Sequence, residues 1–446
     1  MAELDNPLPP HRYVAAICGL DLAVRVGTVT RVMPTFVEAD GPGVPLGSLC
    51  EIGKDASRIL AEVVKTELGR VTLAPYAPVS SICVGDAVCA ARLGAAIPVS
   101  SALLGRVIDP LGRPADGGAQ IADSGESWPL AGILTAPLDR TSPTEPLHTG
   151  IRALDGLLTL GVGQRVGIFA GSGVGKTTLL SSLAANVEAD ICVLCLVGER
   201  GREAEEFWRR ALPAAARERS VMVVATSDQP AIMRARSVLV ALSIAEYFRA
   251  QGKHVLLLLD SVTRYALALR EIGLAAGEPP TVRAYTPSVF AALPKVVERC
   301  GGLKGGGAIT ALMTVLTETD DVDDPMAETM RALLDGHIVL TRELAEQGHF
   351  PAIQVARSVS RVFQHVADAA ARAMASDAVA QLALHEASKT LVESGLYAAG
   401  SNPELDRALR LRPALLAYLQ QDLDTAVGRQ DTLAALAALL EKGGRR

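Results

Sequence analysis

The chain of 446 residues is long enough for two or three domains with a buried core, and its 49% hydrophobic and 21% charged residues are ordinary for a soluble globular protein. A net charge of −6 leaves no basic footprint for nucleic acid, and 4% aromatic residues argue against a base-stacking surface. The longest aliphatic run, Val255 to Leu259, is too short to cross a bilayer, and Met1 to Pro10 carry acid and proline where a secretory leader is basic and apolar, so a cytoplasmic or peripheral protein is expected.

Residues 1–92 are rich in Val, Thr, Gly and Pro. Short runs at Val24 to Val32, Thr35 to Ala39 and Val71 to Leu73, punctuated by turns such as Gly41-Pro42-Gly43, predict a small β-barrel or sandwich. Residues 93–150, including Gly105 to Pro114 and the proline-dotted stretch from Trp128 to Pro146, read as a connector wrapped on the next domain. Apolar runs at 165–170, 191–197, 221–225, 255–259, 308–316 and 336–341 then alternate with helical stretches. Continuous runs of this length fit strands covered on both faces, so residues 93–366 are expected to form an α/β domain with a parallel sheet. From 367 to 446 the chain turns alanine- and leucine-rich, which predicts a C-terminal helical domain. Asn402 before Pro403-Glu404 has the cap and first-turn proline of a helix start, and Leu433, Leu436 and Leu440 lie on one helical face.

Seven cysteines, at 18, 50, 83, 89, 192, 195 and 300, are odd in number and widely spaced, which favours free thiols. Cys192 and Cys195 form a C-x-x-C inside a strand run, where residues three apart point to opposite faces. They are expected to be core thiols and not a metal or redox pair.

The stretch with the clearest chemistry is Gln164 to Leu180. A buried strand, Val166 to Ala170, runs into Gly171-Ser172-Gly173-Val174-Gly175-Lys176-Thr177-Thr178 and then into a helix. Glycines let main-chain N–H groups converge on a polyphosphate, and the helix start adds unpaired donors and a positive dipole end. Lys176 is placed to reach the β- and γ-phosphates and the Thr177 hydroxyl to ligate Mg²⁺. Ala170 stands where the general pattern has glycine. In parallel sheets ligands sit beyond the carboxyl ends of the strands, and two acids follow that rule. Asp260 ends the 255–259 run and is placed as a second ligand on the Mg²⁺ side. Glu199 follows the 191–197 run, where a carboxylate polarises a water in line with the γ-phosphate. Each acid taken alone also reads as a helix N-cap or a surface ion pair.

These segments together are more specific than a phosphate loop. Phe169 to Thr177, Val197-Gly198-Glu199-Arg200-Gly201-Arg202-Glu203, Asp260-Ser261-Val262-Thr263-Arg264-Tyr265, Arg270 to Pro280 and Asp335 to Leu340 closely resemble the ATPases of bacterial type III protein export. Those enzymes serve flagellar assembly or injectisomes and are related to the catalytic subunit of rotary ATP synthases. The resemblance spans nearly the whole chain and implies a RecA-like P-loop core between an N-terminal barrel and C-terminal helices. It implies Mg-ATP hydrolysis by a homohexameric ring with nucleotide at subunit interfaces. It further implies a coiled-coil stalk in the central channel, a peripheral regulator at the N-terminus, chaperone–cargo complexes on the C-terminal helices, and a place beside the inner-membrane export gate. Residue by residue, Ala170 is usual in these enzymes, Glu199 matches the carboxylate that activates water, and Arg200 its phosphate-side neighbour. Phe350, in Gly348 to Ile353, matches the ring packed on adenine, although without the resemblance it reads as a core residue. Arg361, in Ser358-Val359-Ser360-Arg361, matches the arginine finger lent to the neighbouring subunit.

Three departures stand out: Gln354 in place of an acid, Ala284-Tyr285-Thr286-Pro287 in place of Gly-Tyr-Pro-Pro, and Arg357 in place of a small residue. Two other readings remain at this level. A non-catalytic nucleotide-binding ring subunit would not need Glu199, and an RNA-translocating hexamer would need a basic or aromatic groove near the N-terminus. The residues do not distinguish flagellar from injectisome export, although the general wording of the loop leans slightly to the flagellar enzymes.

Overall fold

The computed structural model describes residues 26–53, 58–91, 95–121, 125–317, 324–422 and 425–444. Met1 to Pro10, Cys18 and the Val24-Arg25 start of the first apolar run lie outside them. The chain divides into two compact units, Met1–Ala95 and Ala96–Arg446.

In the first unit, strands β1 (Val26–Val32), β2 (Val37–Asp40), β3 (Leu49–Ile52), β4 (Ile59–Glu67), β5 (Arg70–Pro75) and β6 (Ala87–Ala90) close into an antiparallel barrel in the order β1-β2-β5-β4-β3-β6. The alternation of the sequence is the cause. Val71 and Leu73 on β5, Val37 and Ala39 on β2 and Ala61 and Val63 on β4 all point inward to one small core.

The second unit opens with an antiparallel ribbon of β7 (Ala96–Val99) and β9 (Glu126–Pro129), with β8 (Arg106–Ile108) between them in the chain. β8 is a departure from the expected connector: it pairs in parallel with the sheet strand β13 (Ser220–Thr226) and forms the edge of the main sheet. Its side chain Arg106 is held by Asp116, with Nε 2.6 Å from one carboxylate oxygen and Nη2 3.0 Å from the other. A three-residue strand carries no readable period, which is why the sequence shows only a loop.

The remaining strands are β10 (Arg140–Thr141), β11 (Arg165–Ala170), β12 (Ile191–Glu199), β14 (His254–Asp260), β15 (Gly301–Leu303), β16 (Ala308–Leu316), β17 (Gly336–Leu340) and β18 (Val359–Ser360). The main sheet runs β18-β17-β11-β16-β14-β12-β13-β8, and from β17 to β8 every neighbouring pair is parallel. Both faces are covered. Along β12, Val193, Cys195 and Val197 pack with helices α3 (Ala231–Ala250) and α4 (Val262–Ala275), whereas Cys192, Leu194 and Leu196 pack with helix α1 (Lys176–Asn186). The two cysteines therefore face opposite cores, and burial pushes each thiol up to about 12.

The last helices are α5 (Ala369–Glu393), α6 (Pro403–Leu419) and α7 (Arg429–Gly444). The Asn402 carboxamide oxygen accepts from the N–H groups of Glu404 and Leu405, at 3.0 and 3.2 Å, which fixes the start of α6. Leu411, Leu415, Tyr418 and Leu436 join the same apolar cluster as α1 and β11, so these helices share a core with the main sheet.

Candidate functional site

The parallel register brings the carboxyl ends of the strands to one rim. Ala170 lies opposite Leu316 on one side and Leu340 on the other, Leu196 opposite Asp260, and Glu199 opposite Thr226. A cleft of about 1000 Å³ opens there, lined by Gly171, Ser172, Gly173, Gly175, Lys176, Thr177, Thr178, Glu199 and Arg200. Gly173 and Gly175 have φ of 78° and 85°, a left-handed backbone that a residue with a Cβ rarely adopts, and the chain enters α1 directly after them. No side chain caps α1, so its first N–H groups are left for a ligand. Val174 is turned the other way: its side chain is buried in the core below the loop.

Three charged groups converge on the cleft floor. Lys176 Nζ is 2.5 Å from Asp260 Oδ1 and 3.6 Å from Glu199 Oε1, and both acids are nearly buried. Thr314 on β16 donates to Asp260 Oδ1 at 2.7 Å. Neither acid is a helix cap. Ser261 caps α4 through a bond accepted from the Arg264 N–H at 3.2 Å, and Arg200, whose side chain is exposed, precedes helix α2 (Gly201–Glu206).

Burial pushes the Glu199 carboxyl up to about 7, and a hydrogen bond shared with Glu203 and the nearby Asp260 charge add to the rise, against the pull of Lys176 and Arg264. The same hydrogen bond holds Glu203 below its ordinary value. Below that value a protonated Glu199 would be the donor in this bond and an ionised Glu203 the acceptor.

The sequence reading missed several wall residues. Arg264 reaches Glu199 Oε2 at 3.2 Å and donates to the Gly198 carbonyl, and Glu203, Thr317 and Arg342 also line the cleft. Arg342 and Thr317 follow the carboxyl ends of β17 and β16, so the rule that located Asp260 would have found them too.

Phe350 stands beside the phosphate loop: a Cβ added to Gly175 would lie 3.4 Å from its ring, and the residue is 42% exposed. Arg361 is elsewhere. β18 pairs with the amino end of β17, the Arg361 N–H donates to the Asp335 carbonyl at 2.9 Å, and Asp335 N–H donates to the carbonyl of Arg165, where β11 begins. At about 3.3 Å per residue, the length of β11 puts the Arg361 main chain roughly 17 Å from its own phosphate loop. Its Nη2 donates to the Arg331 carbonyl at 3.0 Å. The protomer's own cleft therefore lacks this arginine.

The donor set fits a nucleoside triphosphate with a hydrated divalent cation. One exposed hydroxyl, Thr177, and one carboxylate, Asp260, are what Mg²⁺ takes from protein when phosphates and waters fill its other positions. Among the described residues no group of three or more His, Cys, Asp or Glu side chains forms an all-protein metal site.

Comparison with known proteins agrees with this geometry. Residues 150–360 match the nucleotide-binding domain of the ATP synthase alpha/beta family, and residues 367–438 match the type III secretion EscN ATPase C-terminal domain. The chain is 44% identical to the flagellum-specific ATP synthase of Bacillus subtilis strain 168, covering 93% of this chain and 95% of that protein. It is 45% identical to the SPI-2 type 3 secretion system ATPase of Salmonella typhimurium strain LT2, covering 93% and 95%. The assembled ATPase EscN of the enteropathogenic E. coli type III secretion system superposes with a TM-score of 0.88 at 42% identity, over 93% of this chain and 100% of that one. EscN in complex with its central stalk EscO gives 0.85 at 40%, over 93% and 100%. With its phosphate loop, strand-end acids and C-terminal helices all in place, the chain belongs to the family of flagellum-specific and type III secretion ATPases, enzymes that hydrolyse ATP.

Proposed function

We propose that this chain hydrolyses Mg-ATP as a homohexameric ring and energises type III export, with each active site completed by its neighbour. The observation that carries this reading is the separation within one protomer. Lys176, Glu199 and Asp260 meet at the carboxyl rim of the sheet, while Arg361 lies at the amino end near its edge. An arginine so placed serves a neighbouring cleft.

In this reading the main-chain N–H groups from Gly171 to Thr178 and the Lys176 ammonium hold the β- and γ-phosphates. Thr177 and Asp260 would hold Mg²⁺, which supplies neutralisation of the phosphate charge. Phe350 packs on the base. Glu199, once ionised, orients and polarises the attacking water, Arg264 holds its carboxylate, and Arg200 faces the phosphates from the rim. Arg361 of the adjacent subunit stabilises charge in the transition state, a contribution of ~10³ to 10⁵ in rate for such residues. Catalysis is thus positional and electrostatic.

The central stalk of EscN supports a coiled-coil partner in the channel of this ring. A regulator at the N-terminus, chaperone–cargo complexes on α5 to α7, and a cytoplasmic station beside the inner-membrane export gate complete the proposal. No helix among the described residues is long and apolar enough to cross a membrane. Nucleic acid is not expected as a partner, because the net charge is −6. Phosphate release tests the enzymatic half: purified protein with Mg-ATP is expected to release phosphate, and Lys176→Ala protein to release none. Filter binding of single-stranded RNA is expected to show no retention.

A further inference from the structure

Gln421 is nearly buried at the end of α6, and three segments meet on it. Its Nε2 donates to the carbonyls of Gly150 and Thr425, at 2.8 and 2.9 Å, and its Oε1 accepts from the Arg152 N–H at 2.9 Å. With both ends of the amide engaged, the main chain at 421 is fixed against the segment leading into the nucleotide-binding fold. That main chain in turn holds Phe350, because the Gln421 N–H donates to the Phe350 carbonyl at 2.9 Å. One residue earlier, Gln420 Nε2 donates to the Gly348 carbonyl at 3.1 Å, and the Gln420 carbonyl accepts from Arg152 Nη2 at 2.9 Å. Phe350 is 42% exposed, so packing covers only part of the residue and the direction of its ring depends on the main chain that carries it.

We propose that Gln421 is a positioning residue for the nucleotide base: it sets Phe350 against the phosphate loop and thereby couples the C-terminal helices to ATP affinity. The proposal rests on the reading of Phe350 as the base platform. Because coupling is reciprocal, whatever displaces the end of α6 weakens ATP binding, and ATP held under Phe350 steadies the end of α6 by the same free energy.

Steady-state ATPase kinetics on the full chain test this, with inorganic tripolyphosphate as a competitive probe that touches the phosphate loop and no base platform. Gln421→Ala is expected to raise KM for ATP about tenfold with kcat within about threefold and the tripolyphosphate Ki unchanged. In a Phe350→Ala background the same substitution is expected to add less than about twofold. Gln420→Ala, at an exposed position, removes only the bond to Gly348 and is expected to raise KM about threefold. It carries the test if Gln421→Ala does not fold. Three results would overturn the proposal while leaving the base platform intact. They are equal weakening of ATP and tripolyphosphate, an effect of the same size with and without Phe350, and an unchanged KM in the glutamine variants when Phe350→Ala raises it. An unchanged KM in Phe350→Ala itself would remove the base platform, and the coupling with it.

Discussion

Lys176 and Asp260 face each other across the cleft floor with 2.5 Å between Nζ and Oδ1. In the proposed mechanism a triphosphate takes the lysine and a divalent cation the carboxylate, so ligand binding would replace this pair with two new partners. Asp260→Ala is therefore expected to tighten ATP binding about threefold in the presence of a chelator, since a competing negative charge is gone. With Mg²⁺ it is expected to weaken binding about tenfold and to lower kcat by ~10² or more. Fluorescence titration with and without metal reads both signs.

Glu199 is held protonated up to about 7, and in the proposed mechanism it polarises water only once ionised. In the free enzyme kcat/KM is expected to rise with pH through an acid limb near 7. Glu203→Gln removes the acceptor that favours the protonated form and moves the limb to lower pH. Arg264→Ala removes a charge that favours the ionised form and moves it higher. A limb that stays in place in both variants contradicts the assignment.

The same shift carries a stability consequence. Unfolded, Glu199 releases its proton near 4.5, whereas the folded chain keeps it up to about 7, so folding at this position binds a proton and loses stability as pH rises across that window. Glu199→Gln is expected to stabilise the nucleotide-free protein by ~1 to 2 kcal/mol at pH 8 and by little at pH 4. Thermal melts at the two pH values check the sign.

Much of this was legible in the chain. Runs such as 308–316 read as strands because residues buried on both faces leave no polar alternation, and the sheet places them as expected. Gly173, Gly175 and Lys176 announce the phosphate loop, since few other structures need that order. What escaped has a physical reason. β8 is too short to show a period, and Arg264 carries no local signal until α4 places it against Glu199. Val174 shows the converse: it lies within the motif, yet its side chain belongs to the core. Phe350 is a half-exposed aromatic whose neighbour, Gly175, is far away in sequence, and only its resemblance to a known family marked it.

Cys192 and Cys195 are expected to be inert toward a thiol reagent in the folded protein and to react only on unfolding, because both are buried and pushed up to about 12. The exposed Cys83 is expected to react promptly. Mass spectrometry after brief labelling distinguishes the three.

The sharing of each site between two subunits is tested most directly by mixing two inactive proteins. Lys176→Ala is expected to lack a working phosphate grip, and Arg361→Ala to bind ATP without turning it over. Random co-assembly in equal amounts gives about one interface in four with both halves intact. The account predicts that the mixture recovers phosphate release toward that fraction of the unmodified rate. A mixture as dead as its parents at every ratio, or normal turnover by Arg361→Ala alone, would contradict it.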